Sequence, residues 1–248
     1  YIIIGKKKMA TMSDNILLFL IAIVPTLAIL IFFVFSDKFI EPKKYVLATF
    51  VLGIFIIAPL QVFSSVSIMI MGSSIEYSPF FHAFFKAAFL EEFFKFCVLF
   101  FFCVRFTEFN EPMDGIVYGI AASLGFAFYE NLLYVYTYDT PTMTESLEIG
   151  WYRAFTAVPS HAFDGVIMGF FIGRHFFRRH ENKINIYLAL IIPVILHGSY
   201  DWVLMTESIH TNFCFLVIAI ELFLVVYLYR DLKNAQMLKK TEGEKKIF

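Results

Sequence analysis

Charge is scarce in this sequence. Asp, Glu, Lys and Arg make up 17% of the 248 residues and leave a formal net charge of −1, whereas a soluble domain is about 25% charged. So even a balance excludes a strongly basic nucleic-acid binder. Cysteine is limited to Cys97, Cys103 and Cys214. They lie in apolar runs, without CxxC spacing or an even-numbered disulfide pattern, and read as small packing residues. There is no HExxH pair, so the well-known zinc helix is absent. No internal repeat and no stretch that would form a separate soluble domain is found.

What is abundant is apolar. Hydrophobic residues reach 59%, with 33 Phe and 13 Tyr, and the mean hydropathy is +0.72. The excess is concentrated in long runs, the pattern of a membrane protein. A helix crossing about 30 Å of hydrocarbon needs about 20 apolar residues. That rule predicts seven spans, near Asn15–Phe35, Tyr45–Met71, Pro79–Val104, Met113–Tyr138, Trp151–Gly173, Ile184–Met205 and Thr211–Tyr229. Pro59 is expected to kink the second, which is long enough to tilt. The longest loop is expected around Asp139, Pro141, Glu145 and Glu148. The fold class is therefore an all-α polytopic membrane bundle of about seven helices. Residues 13–230 form one transmembrane domain and 231–248 a frayed, charged cytoplasmic tail. Residues 1–12 are set aside as a leader, because Met9 or Met12 makes a more natural start than Tyr1.

Basic residues orient the bundle. Lys38, Lys43 and Lys44, then Arg105, then Arg174, Arg178, Arg179 and Lys183, then the tail from Arg230 all fall on one side. The other side has Arg153 at a helix edge and the Lys6–Lys8 cluster of the leader. The N-terminus is thus expected outside and the C-terminus in the cytoplasm.

Ionisable groups inside a span are costly and mark function by default. Four spans carry them. The third has Glu91, Glu92 and Lys95, the fourth Phe126, Glu130 and Asn131, the fifth His161, Asp164 and Gly165, the sixth His197 and Asp201. Glu91 and Lys95 are one turn apart and expected to pair, while Glu92 is turned by roughly 100° toward another neighbour. Two adjacent carboxylates in low dielectric resist ionising together, which suits a base beside an acid or clamp. Asp201, one turn after His197, can orient its imidazole. At 1.5 Å per residue, Glu91, Glu92, Glu130, His161 and His197 lie about 12–18 Å from the outer ends of their spans. Antiparallel helices thus bring them into one layer and one buried polar site. Such a set can activate water through a glutamate, with a histidine stabilising the oxyanion or protonating the leaving amine. The same set could hold a metal with an open water position.

The order Glu-Glu-x-x-Lys, Phe-x-x-x-Glu-Asn, His-x-x-x-Gly and His-x-x-x-Asp on successive spans resembles the PrsW family of membrane proteases. That family is related to the CAAX endopeptidases and bacteriocin-immunity proteins. The resemblance runs from Glu91 to Asp201. It implies intramembrane cleavage of a single-span membrane protein, such as an anti-sigma factor, near its extracytoplasmic end, in a prokaryotic plasma membrane. It also implies catalytic roles for Glu91, Glu92, His161 and His197. Lys95, Phe126, Glu130, Asn131 and Asp201 are expected to support them, with Glu130 standing where CAAX relatives carry His. On this resemblance a metal-free, glutamate-type mechanism is favoured and no cofactor is required. The alternative is a divalent metal such as zinc on Glu92, Glu130, His161 and His197.

Structural readings compete at several positions. Glu91, Glu92 and Lys95 could be an interhelical ion-pair group, and Asn131 a hydrogen-bond clamp between helices. Lys86 is expected to snorkel, and Arg105 and Asp114 to be interfacial. Glu221, deep in the seventh span, has no motif around it. Gly115, Gly119 and Gly125, and Gly165, Gly169 and Gly173, have the small-xxx-small spacing of close helix packing. A proton-coupled transporter would use similar residues but usually has inverted repeats and broken helices. A non-catalytic immunity-type protein could share the fold.

Overall fold

The fold is described from a computed structural model, over residues 11–71, 78–137, 142–177, 183–206 and 209–245. All regular structure among these residues is helical: α1 (Met12–Ser36), α2 (Lys43–Phe55), α3 (Ile57–Met71), a short turn at Pro79–Phe81, a π-helical stretch His82–Phe89, α4 (Leu90–Phe101), a 3-10 turn Cys103–Arg105, α5 (Pro112–Thr137), α6 (Met143–Phe155), α7 (Ala157–Phe177), α8 (Ile184–Met205) and α9 (Phe213–Lys245). Among the described residues, six helical segments are long and apolar enough to cross a membrane. The third expected span, Pro79–Val104, is continuously helical from Pro79 to Phe101 but carries Lys86, Glu91, Glu92 and Lys95. The chain is a polytopic all-α membrane protein. Lys6–Lys8, Asp139, Pro141, Arg178 and Arg179 lie outside the described residues.

Two prolines divide helices in the same way. Pro59 has no N–H to give the Phe55 carbonyl, so the expected second span separates into α2 and α3 at Ile56. The ladder resumes with Leu60 N–H donating to the Ile56 carbonyl at 3.1 Å. Pro159 cannot bond the Phe155 carbonyl, and α6 gives way to α7 at Thr156. There Ser160 N–H picks up the Thr156 carbonyl, also at 3.1 Å. The fifth span is therefore two helices. Its first part starts at Met143, capped by Thr142 and Glu145, so Glu145 and Glu148 are helical and not in the expected loop. The stretch from 231, expected as a frayed tail, continues α9 as helix to Lys245. Leu232 and Gln236 are buried in it.

The interior belongs to α5 and α7. In the most apolar stretches of the segments they belong to, 72% and 78% of residues are buried, against 22–33% in the other four spans. The outer helices turn apolar side chains outward, such as Phe32, Val62 and Phe223, as suits a lipid surface. Glycine brings the central pair together, as the small-xxx-small spacing predicted: a Cβ at Gly119 would stand 2.2 Å from the Gly165 carbonyl oxygen, and one at Gly169 2.0 Å from that of Gly115.

Candidate active site

Four helices deliver the polar residues to one place. The π-helical stretch before α4 seats the Phe84 ring where Gly198 of α8 has no Cβ; a methyl there would meet the ring at 2.4 Å. π-helices are rare and often lie at functional sites. This contact is next to His197 and sets α4 so that Glu92 faces it. His197 Nδ1 is 2.8 Å from Glu92 Oε1, and His197 Nε2 is 3.7 Å from Glu91 Oε2 and 3.4 Å from Asp201 Oδ2. Asp201, which was expected to orient His197, is thus beside it, with Asp164 Oδ2 3.9 Å from Nδ1 on the other side.

Lys95 is fully buried, and its choice of partner differs from expectation. Its Nζ donates to Glu92 Oε1 at 2.7 Å but is 4.0 Å from Glu91 Oε2. The i,i+3 pair wins because other helices hold the ammonium: His161 Nδ1 of α7 is 3.1 Å away, and the Phe126 ring of α5 lies beneath at 4.5 Å. Since Nδ1 accepts from Lys95, a neutral His161 carries its proton on Nε2 and donates it to Glu130 Oε2 at 3.0 Å. The two imidazole centroids are 5.0 Å apart.

Arg153 was read from the sequence only as a helix-edge charge. Its Nη2 donates to Glu130 Oε2 at 2.5 Å and its Nε to Asn131 Oδ1 at 2.7 Å, while the guanidinium stacks on Tyr134 at 3.7 Å. Asn131 thus bridges helices through Arg153. The available signal was its position as a lone cation across from an unpaired Glu130. Glu221 also gains a partner: its Oε1 accepts from Ser160 Oγ at 3.0 Å, tying α9 to the residue before His161.

The chemistry follows from what is left free. One donor atom each from Glu91, Glu92, His161 and His197 lie within 4.8 Å of one another, all in buried side chains. Glu91 Oε2 and Glu92 Oε2 have no hydrogen-bond partner. Two imidazoles and two carboxylates suit zinc or a similar ion, so the donor set fits a metal. Glu91 takes the position the sequence reading gave to Glu130, whose carboxylate is engaged by Arg153 and His161. A crevice of about 10 Å³ reaches His161 and His197 between Glu130, Arg153, Tyr200 and Asp201, room for about one water.

Residues 41–228 match the family described as PrsW family intramembrane metalloprotease. Protease PrsW of Geobacillus kaustophilus is 36% identical over 187 residues, 75% of this chain and 79% of that protein. Protease PrsW of Oceanobacillus iheyensis is 37% identical over 190 residues, 76% and 83% of the two chains. Protease PrsW of Bacillus subtilis is 33% identical over 216 residues, 86% and 93% of the two. No solved structure gives a significant match.

Proposed function

Because the chain belongs to the PrsW family of intramembrane proteases, we propose that it hydrolyses a peptide bond in a single-span membrane protein, for example an anti-sigma factor, near the substrate's extracytoplasmic end. The observation that carries this reading is the meeting of Glu91, Glu92, His161 and His197 within 4.8 Å. Structural ion pairs alone do not require two imidazoles and two carboxylate oxygens without hydrogen-bond partners in a group reached by a water-sized crevice. The basic loops suggest that the C-terminus is cytoplasmic.

In the proposed chemistry Glu91 is the general base. Glu92 is committed to Lys95 and His197, which leaves Glu91 freer to take a proton from water. The resulting hydroxide attacks the scissile carbonyl carbon. The peptide C–N bond breaks as the proton is passed to the leaving amine. His197, between Glu91 and Asp201, is placed to move that proton and to meet the developing oxyanion. Arg153 holds Glu130, and Glu130 holds the His161 tautomer. Lys95 supplies the fixed positive charge that keeps Glu92 in place.

A metal-dependent reaction is supported by the fit of the donor set and by the family's description. Glu91, Glu92, His161 and His197 would hold the ion, which would supply Lewis-acid polarisation of water and carbonyl.

The test is cleavage of a single-span substrate in liposomes. Glu91→Ala, Glu92→Ala, His161→Ala and His197→Ala are each expected to abolish it in protein that retains its helical content. Undiminished cleavage by Glu91→Ala and Glu92→Ala overturns the reading.

A further inference from the structure

Asp164 is a buried carboxyl group that the proposed reaction does not use. It sits on α7, three positions after His161, and has no solvent exposure. Neither of its oxygens has a hydrogen-bond partner. Taking such a group out of water without partners is unfavourable, and a core that only had to be filled would hold an apolar residue there. The charged groups around it are Glu92 and Lys95 of α4, His197 of α8 and Glu221 of α9. Glu92 Oε1 accepts from Lys95 and meets His197, and Glu221 Oε1 accepts from Ser160. The approach that Asp164 makes is to His197, whose Nδ1 is 3.9 Å from its Oδ2.

The two nitrogens of that ring have different surroundings. Nδ1 meets Glu92 Oε1 at 2.8 Å. A carboxylate only accepts, so Nδ1 carries a proton whether the ring is neutral or charged. Nε2 is on the other side, 3.4 Å from Asp201 Oδ2 and 3.7 Å from Glu91 Oε2. The crevice is bordered by His197 and Asp201, and not by Glu92 or Asp164. The reacting nitrogen is therefore Nε2, and the group that orients the ring belongs on the Nδ1 side. Asp201 is on the reacting side. Glu92 is on the orienting side, but its Oε1 is shared with Lys95 Nζ at 2.7 Å. Glu92 also belongs to the group that gathers around the reacting water. Any shift of Glu92 during the reaction strands the Nδ1 proton unless a second acceptor is at hand.

Resting on the hydrolytic reading above, we propose that Asp164 is a positioning residue that supplies this second acceptor. It receives the His197 Nδ1–H when Glu92 moves, and so keeps Nε2 toward the crevice. Both side chains start from firmly seated main chain. His197 precedes Gly198, which is closed on the Phe84 ring, and Asp164 precedes Gly165, where a Cβ would stand 2.6 Å from the Gly119 carbonyl oxygen. The 3.9 Å separation exceeds a hydrogen bond by about 1 Å, which a small rotation of either side chain closes. Oxygens without partners suit this role, since a carboxylate already bonded would have to give up one bond to make another.

The test combines cleavage kinetics of the full chain in liposomes with its thermal unfolding in detergent. Leucine copies the branched shape of aspartate without its oxygens. Asp164→Leu is expected to lower kcat about 10-fold or more at unchanged KM. Its unfolding midpoint should stay level or rise, because an unpartnered buried carboxyl is removed. Asp164→Asn keeps one acceptor oxygen and should lose less of kcat than Asp164→Leu. Where the leucine variant does not fold, the asparagine variant decides: its kcat must fall while KM and midpoint are unchanged. An unaltered kcat in the deciding variant overturns the inference. So does a lower midpoint in both variants, which makes Asp164 a packing group, or a loss expressed only in KM. These results leave the protease reading standing, because the unaltered chain still cleaves. An unaltered chain that cleaves no single-span substrate removes both.

Discussion

Lys95 Nζ and Glu92 Oε1 are 2.7 Å apart in two side chains with no solvent exposure. Breaking such a pair by removing one partner costs about 3–5 kcal/mol, because the remaining charge is stranded. Lys95→Met is therefore expected to lower stability by several kcal/mol and abolish cleavage together. Glu91→Gln touches only longer contacts, 4.0 Å to Lys95 and 3.7 Å to His197, and should unfold within about 1 kcal/mol of the unaltered chain while cleavage is lost. Thermal unfolding beside a cleavage assay separates the two, and equal destabilisation would reject this division of labour.

Arg153 bonds two residues of α5 at once through a planar, forked group. Lysine offers a point charge and cannot reproduce that fork. Arg153→Lys should lower kcat about 10-fold and Arg153→Leu about 100-fold or more, since the latter strands Glu130. Activity of Arg153→Leu at the unaltered level would remove Arg153 from the site's support.

The glycine seam predicts a stability defect without any polar change. Gly119→Ala forces a methyl onto the Gly165 carbonyl at 2.2 Å, where main chain must move. A loss of at least about 2 kcal/mol is expected, read as a fall in the unfolding midpoint. An unchanged midpoint would mean that α5 and α7 do not pack as closely as described.

The glutamate-type reaction predicts that cleavage survives removal of metal. Protein dialysed against 1,10-phenanthroline and shown by elemental analysis to be free of transition metals should retain more than half its rate. Loss of cleavage that zinc restores would assign the Glu91, Glu92, His161 and His197 set to metal instead.

Much of this architecture could be read from the residues in order, because a lipid-spanning helix has a simple requirement for length and apolarity. The motif residues on four spans could also be read, since a buried charge is conspicuous against that background. Arg153 was harder: its partner Glu130 lies 23 residues earlier on another helix, and local spacing does not pair them. The break at Thr156 follows from Pro159, whose effect is the same as that of Pro59. The preference of Lys95 for Glu92 over Glu91 depends on His161 and Phe126 from other helices, which local spacing does not encode. The π-helical stretch His82–Phe89 has no composition that announces it. The helical continuation to Lys245 was obscured because charged side chains suit both a frayed end and an exposed helix surface.

The contact between Gly119 and Gly165 also constrains how a polypeptide could enter. Main chain meets main chain there with no side chain between, so α5 and α7 must move as one body. Glu130 and His161, one on each, are thereby held in register, Nε2 to Oε2 at 3.0 Å. Displacement of α4 or α8 relative to that close-packed pair would open the site without parting them. The stretch with the less regular backbone ladder, His82–Phe89, leads directly into Glu91 and is the natural place for that displacement to begin.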